Sequence, residues 1–252
     1  MNLILLRPEE LRAPAPPTAP LTATLRGRRF EHIRDVLKTA PGAPLRAGVL
    51  GGTRHTAIIR SMTTDSCEIE LATTTPPLPR AGIDILLALP RPKCLKRLLP
   101  QIAALGIGRL YITNAEKVEK NYWGSRYLHP EEQQPLLEEG LEQSGDTILP
   151  EITITRRLKP LLEDELAPRY AASEKIIAHP YEPDSPAPLP APAPMRPTLL
   201  AIGPEGGWTP YELAMFDAHG FRRLSLGPRI LRADTAVITL IAALSANRIS
   251  PN

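Results

Sequence analysis

Cysteine, lysine, aromatic side chains and long apolar runs are all scarce in this 252-residue chain. Its two cysteines, Cys67 and Cys94, are isolated. That excludes a four-cysteine metal site and a CxxC redox pair, and both are read as small buried hydrophobes. Aromatics make up only 4% of the residues, so Tyr111, Tyr122, Trp123 and Tyr127 are read as packing or interface residues rather than a base-stacking platform. The histidines His32, His55, His129, His179 and His219 are scattered without ligand spacing, and no metal is expected. No apolar run approaches the roughly 20 residues that cross a bilayer, and the opening MNLILLRPEELRAP pairs a short apolar stretch with no preceding charge. A cytoplasmic protein with no membrane attachment is expected.

Proline and arginine are plentiful instead. There are 30 prolines, seven of them between Pro183 and Pro197, and 23 of the 30 basic residues are arginine, the side chain suited to bidentate phosphate contacts. The formal charge is only +3. Its distribution is more telling, because residues 26–60 carry Arg26, Arg28, Arg29, Arg34, Lys38, Arg46, Arg54 and Arg60 against Glu31 and Asp35. Such a patch suits a nucleic-acid partner, with a solvated charged face as the plain alternative.

The chain reads as two parts. Residues 1–72 contain short apolar stretches (LILL, PLRAGVLGG, TAIIRS, CEIEL) broken by turn residues, which predicts a small β-rich domain with a helix at Arg28–Lys38. The Pro-rich stretch 73–82 reads as a linker, and residues 83–252 alternate strand and helix. Ile83–Leu89 is an apolar run of the parallel-sheet type, and Leu95, Leu98, Leu99 and Ile102 lie on one helical face that Pro100 should bend or delay. Strands are expected at Leu110–Thr113, Glu151–Thr155, Lys175–Ala178, Thr198–Ile202 and Arg223–Leu226, with helices around Glu131–Gln143 and Leu161–Leu166. The Pro/Ala run 183–197 reads as an extended connector. Thr209, Pro210 and Glu212 form a capping box with proline at the first helical position, and a final helix buries Val237, Leu240, Ile241 and Leu244. This is an α/β sheet with helices on both faces, whose ligands bind outside the carboxyl ends of the strands.

Two glycine-bearing loops follow strand ends, at Gly203–Gly207 and Gly227–Asp234. Neither has Walker or GxGxxG spacing, so the expectation is a close backbone approach to a ligand, or simply a tight turn. The segments AIGPEGGW (201–208) and SLGPRILRADTA (225–236) together resemble the C-terminal signature of the RsmE family, the N3-specific uridine methyltransferases of 16S ribosomal RNA. GRRFEHIRDVLK (27–38), LGIGRLYI (105–112) and LEQSGDTILPEI (141–152) extend the resemblance over nearly the whole chain. The resemblance implies a PUA-like N-terminal β-barrel followed by a SPOUT α/β domain with a C-terminal trefoil knot. It further implies S-adenosylmethionine as methyl donor, a homodimer to which Thr235–Asn247 contributes, and 16S ribosomal RNA or the small ribosomal subunit as partner.

By that resemblance, Ala201, Ile202, Gly203, Glu205, Gly206, Gly207, Leu226, Gly227, Ile230, Leu231 and Thr235 hold the donor. Arg26, Arg28, Arg29 and Arg34 anchor RNA. Arg232 and Asp234 carry the chemistry, with Asp234 as an N-cap of the last helix the alternative. Three departures stand out: Pro100–Gly106 replaces the usual Lys-Ala-Thr-Glu-Leu-Gly, Asp146 stands where an arginine is usual, and Arg232-Ala233-Asp234-Thr235 replaces Arg-Thr-Glu-Thr. The first two are expected to face RNA or a second subunit. A divergent paralogue acting on another base, and a non-catalytic RNA-binding assembly factor, are the competing readings.

Overall fold

Strand alternation builds the first sheet and continuous apolar runs build the second. The computed structural model describes residues 2–13, 20–180 and 196–246. It divides into one unit of Met1–Pro79 with Pro135–Leu149 and another of Arg80–Gln134 with Pro150–Asn252.

The first unit holds β1 (Ile4–Leu6), β2 (Thr22–Arg26), β3 (Pro44–Val49), β4 (Arg54–Met62) and β5 (Ser66–Thr75), in the order β1-β3-β4-β5-β2. β1 runs parallel to β3 and the other pairings are antiparallel. Inward-facing Ala23, Leu25, Leu45, Ala47, Ala57, Ile59, Ile69 and Leu71 are buried with Ile4, Leu6, Phe30 and Ile33. β2, which the sequence reading missed, shows this alternation in Ala23 and Leu25. β5 reaches Thr75, so the expected linker begins inside a strand. The predicted helix is α1 (Gly27–Glu31) continued by a π-helical stretch, His32–Leu37, and it ends at Lys38 in the left-handed region (φ 49°).

Residues 135–149 join this unit through backbone bonds. The Glu142 carbonyl accepts from Asn2 N (2.9 Å) and Leu3 N (3.0 Å), and the Thr147 carbonyl accepts from Gly51 N (2.8 Å). A Cβ on Gly48 would overlap the Thr147 methyl, which is why β3 carries glycine there. Asp146 is 2% exposed and accepts the Thr147 N–H at 2.7 Å. It shapes the turn from within this unit instead of facing outward, contrary to the expectation.

The second unit is a parallel sheet of β6 (Ile83–Ala88), β7 (Arg109–Thr113), β8 (Glu151–Thr155), β9 (Glu174–Ala178), β10 (Thr198–Ile202) and β11 (Arg222–Leu224), ordered β11-β9-β10-β6-β7-β8. β10 pairs with β6 and β9, and all five of its residues are buried, as its unbroken TLLAI run requires. α2 (Pro92–Ala104) runs through Pro100 and buries Leu95, Leu98, Leu99 and Ile102, so the proline does not delay its start. α3 (Pro130–Ser144) follows β7, and its residues from Pro135 onward belong to the first unit. Between β8 and β9 lie α4 (Leu158–Pro160), a π-helical turn at Leu161–Leu166 and α5 (Ala167–Arg169). α6 (Pro210–Ala218) and α7 (Ala233–Ala246) complete the unit. The strand order leaves β6 in one direction towards β8 and returns on its other side through β9. This is a switch point, beside which carboxyl-end loops form a crevice. The Pro/Ala-rich run lies, but for its last two residues, outside the described residues.

Candidate functional site

Three loops at the carboxyl ends of β9, β10 and β11 enclose a cavity of about 420 Å³. Gly203–Trp208 leaves β10, Ser225–Arg232 leaves β11, and His179 and Pro180 leave β9. Ile202, Trp208, Leu224, Leu226, Ile230, Leu231 and Leu240 give it a largely apolar lining.

The first loop is braced from both sides. Thr209 N donates to Glu212 Oε2 (2.7 Å) and Glu212 N donates to Thr209 Oγ1 (3.3 Å), the capping box expected from the sequence. Glu212 Oε1 also accepts from Glu116 N at 2.8 Å, which ties α6 to the segment after β7. Trp208 packs edge-on against Phe216 (centroids 4.8 Å), and Phe216 against Phe221 (4.9 Å), each contact contributing about 0.5–1.5 kcal/mol beyond area burial. A Cβ on Gly203 would stand 3.0–3.3 Å from the Trp208 indole ring, so the ring fills the space that any other residue would take. Gly206 is different, because a Cβ there meets the Lys117 stem at 3.0–3.1 Å while Lys117 Nζ donates to the Gly206 carbonyl (3.0 Å). Gly207 (φ 70°) and Gly227 (φ 100°) occupy backbone conformations that side chains disfavour.

A family model described as an RNA methyltransferase domain matches residues 76–245, which contain this entire cavity. The chain belongs to the RsmE family. It is 30% identical over 263 aligned residues to the ribosomal RNA small subunit methyltransferase E of Treponema pallidum, covering 98% of this chain and 91% of that one. It is 25% identical to the ribosomal RNA small subunit methyltransferase E 1 of Borreliella burgdorferi, covering 94% of each. The same fold occurs in the ribosomal RNA small subunit methyltransferase E of Neisseria gonorrhoeae, solved bound to S-adenosyl methionine. That match has a TM-score of 0.71 at 21% identity, covering 98% of this chain and 97% of that one.

Within this RsmE-family framework, Ile202, Gly203, Glu205, Gly206, Gly207, Leu226, Gly227, Ile230, Leu231 and Arg232 all line the cavity. Three sequence candidates do not. Ala201 is fully buried mid-strand in register with Leu86 and Ile177, Thr235 is exposed on α7, and Asp234 lies beside the cavity wall. The sequence reading missed Trp208, His179 and Pro180; the strand predicted at Lys175–Ala178 already placed the last two just beyond a carboxyl end.

Arg232 projects at the rim with its side chain 72% exposed, its Nε 3.4 Å from Asp234 Oδ1. Asp234 Oδ2 accepts from Arg97 Nη2 (2.5 Å) and Nε (3.1 Å), and Oδ1 from Thr235 N (3.1 Å). Partial burial raises the Asp234 carboxyl, but the Arg97 hydrogen bonds, the Arg232 charge and the Thr235 N–H outweigh it and hold it below the usual aspartate range. It is not the N-cap of α7, because Ala236 N donates to the carbonyl of Arg232 (2.8 Å) and the helix starts at Ala233. Beneath it, burial and the nearby Asp234 and Glu205 charges push the Cys94 thiol up to about 11, leaving it an inert packing group.

The four arginines expected to anchor RNA are each bonded to a carboxylate in the first unit. Arg26 pairs with Asp65 (2.5 Å), Arg28 with Glu142 (2.7 Å), Arg34 with Asp35 (2.6 Å) and Arg29 with Glu10. No cluster of three or more His, Cys, Asp or Glu residues that could hold a metal is present among the described residues.

Proposed function

We propose that this chain transfers the methyl group of S-adenosylmethionine to N3 of a uridine in 16S ribosomal RNA, in the free RNA or the small subunit. The observation that carries the reading is the meeting of two glycine loops around one largely apolar cavity at the carboxyl ends of β10 and β11, the two parallel strands that flank β9. The cavity fits the donor in kind. Its glycine backbone admits close approach, its volume of about 420 Å³ suits a nucleoside-sized ligand, and apolar side chains dominate the wall.

When bound, the sulfonium donor supplies a methyl group that is already activated. The chain's own residues must then position the base and manage its proton. N3 of uracil holds that proton in an imide between two carbonyls, so methylation there needs the proton to leave and the developing oxygen charge to be met. Arg232 brings an exposed guanidinium fork to the cavity rim and donates hydrogen bonds to that oxygen. Asp234, ionised and engaged by Arg97, aligns the fork, while the N3 proton passes to water.

Other parts of the reading follow from family membership and stand as proposals. The β10–α6–β11–α7 tract forms the trefoil knot, α7 contributes to a homodimer, and the protein works in the cytoplasm. Residues 1–72, with the segment 135–149, make a PUA-like RNA anchor ahead of a methyltransferase domain. Arg26, Arg28 and Arg34 expose 64%, 68% and 48% of their side chains and exchange their carboxylates for RNA phosphate. Such exposed pairs hold each other weakly. Arg29, less exposed and also bonded to the Leu5 carbonyl (2.8 Å), is assigned chiefly to folding.

The test is to incubate the protein with methyl-labelled donor and either 16S ribosomal RNA or small subunits, then resolve the nucleosides by mass spectrometry. Labelled 3-methyluridine is the expected product. A different methylated nucleoside would establish the divergent-paralogue reading, and absence of label with absence of donor binding the assembly-factor reading.

A further inference from the structure

A strongly unbalanced run of charge in the second unit lies on α2, outside the donor cavity. The helix and its N-cap carry Arg91, Lys93, Lys96 and Arg97 and no acidic residue as far as Ala104. Its buried face is taken by Cys94, Leu95, Leu98, Leu99, Ile102 and Ala103, and all four cations are exposed. Lys93, Lys96 and Arg97 fall at i, i+3 and i+4, which gathers them on one face. Arg97 is held by Asp234, which also meets Arg232, so this face is continuous with the cavity rim. Lys93 and Lys96 make no ion pair among the described residues.

Beside Lys96 stands a half-buried aromatic ring that the mechanism does not use. Tyr127 lies on the short turn Arg126–Leu128, whose N-cap Ser125 accepts the Tyr127 N–H at 3.3 Å. Lys96 Nζ is 5.9 Å and the Arg126 guanidinium 5.1 Å from the centre of the Tyr127 ring. Among the described residues, Glu132, 3.6 Å from Arg126, is the carboxylate paired with this group of charges. Cations gathered around one accessible ring repel one another until an anion arrives, and the ring offers a flat surface for a base. A chain that alternates phosphates with planar bases satisfies both features together, and an acidic protein surface satisfies only the first.

We propose that Lys93, Lys96, Arg126 and the Tyr127 ring form a contact site for single-stranded RNA within the catalytic unit, leading to the donor cavity. Phosphates meet the two lysines and Arg126, and a base stacks on Tyr127. This rests on the RNA methyltransferase reading and extends it by assigning substrate positioning to a helix that no cavity-lining argument includes.

The test uses the full chain and a mixed-sequence single-stranded RNA oligonucleotide, with affinity measured over a salt series and donor affinity measured in parallel by calorimetry. The Lys93→Glu/Lys96→Glu double variant should bind RNA at least about tenfold more weakly, with the slope of log affinity against log salt reduced by roughly 1.4, two single-strand phosphate contacts. Tyr127→Ala should lose about tenfold and Tyr127→Phe almost nothing, since Phe keeps the ring. Donor affinity should stay at the parental value in all three. Parental RNA affinity and salt slope in the double variant, with donor binding intact, would overturn this site and leave the methyltransferase reading standing. A parent chain that binds neither donor nor RNA would overturn both.

Discussion

Arginine in the first unit and lysine on α2 of the second have opposite fates. Arg26, Arg28, Arg29, Arg34 and Arg60 each lie within hydrogen-bonding reach of a carboxylate, Arg60 meeting Glu70 at 2.5 Å. Lys93 and Lys96, by contrast, are exposed and make no ion pair among the described residues. Five of the eight cations in the stretch that looks most basic in sequence are therefore paired, and a stretch with fewer charges keeps more of its field. What a ligand meets is the charge left after such pairing. The glycine loops show a similar contrast. Gly203 is shaped by an aromatic ring from its own loop, and Gly206 by a flexible lysine that reaches in after β7.

The largest effect is expected where an exposed, weakly held cation meets the reaction. Arg232→Ala should lower the single-turnover methylation rate roughly 10²–10³-fold, the usual cost of one lost donor to a developing oxyanion. Arg232→Lys should also lose rate, because an ammonium cannot reproduce the planar fork. Calorimetry should return parental donor affinity for both, and parental rates would remove Arg232 from the chemistry.

The glycine contrast predicts the next effect. In Gly203→Ala the new methyl is forced against the Trp208 ring, and donor affinity should fall about tenfold, ~1.4 kcal/mol. In Gly206→Ala it meets Lys117 Cβ at 3.0 Å and Cδ at 3.1 Å; the outer stem can swing aside and a small backbone shift relieves the Cβ, so the loss should be smaller, about threefold. Titration of both variants with donor tests the ranking, and the reverse order would show that Gly206 faces the ligand.

In the first unit the arginines should matter for stability before recognition. Arg29→Ala removes charged hydrogen bonds to Glu10 and the Leu5 carbonyl and should cost about 1–2 kcal/mol in denaturant unfolding. The Arg29 hydrogen bond, opposed by partial burial and helped by the Arg7 N–H, holds the Glu10 carboxyl below its ordinary value of 4.5. A depressed folded-state value contributes stability that is present above pH 4.5 and lost as pH falls through the lowered value. The variant should therefore lose part of the parent's stability difference between neutral pH and the acid side of that range. An unchanged acid profile would show that the pair contributes nothing.

The smallest expected change is in a pH profile. Asp234 stays ionised throughout the neutral range, so Asp234→Asn should reduce the rate by less than about tenfold and leave the shape of its pH dependence unaltered. Disappearance of an ionisation from that profile would make Asp234 a base.

What was legible in the sequence was local. The capping box of Thr209 and Glu212, the apolar runs of β6 and β10 and the glycine loops needed only neighbouring residues, and each lies close to its expected place. Contacts between distant residues were not legible. Arg28 finds Glu142 across 114 positions, and Arg97 finds Asp234 across 137. The first shows that Arg28 must release a carboxylate before it meets RNA, and the second turns Asp234 from an N-cap candidate into an arginine partner. Ala201 failed for a simpler reason: the signature AIGPEGGW begins inside the strand, and only its glycine-bearing part emerges at the cavity. Tyr127 was read as packing from composition, yet like Tyr122 and Trp123 it is half-exposed, whereas Tyr111 is buried.

Backbone amide hydrogen exchange with and without S-adenosylmethionine, resolved to short peptides, compares the two units directly on one sample. Protection on adding donor is expected at 203–208 and 225–232, the loops that enclose the cavity, with peptides from 22–75 unchanged. Donor binding by calorimetry with protection confined to 22–75, or with none at either glycine loop, would contradict the assignment of this cavity to the methyl donor.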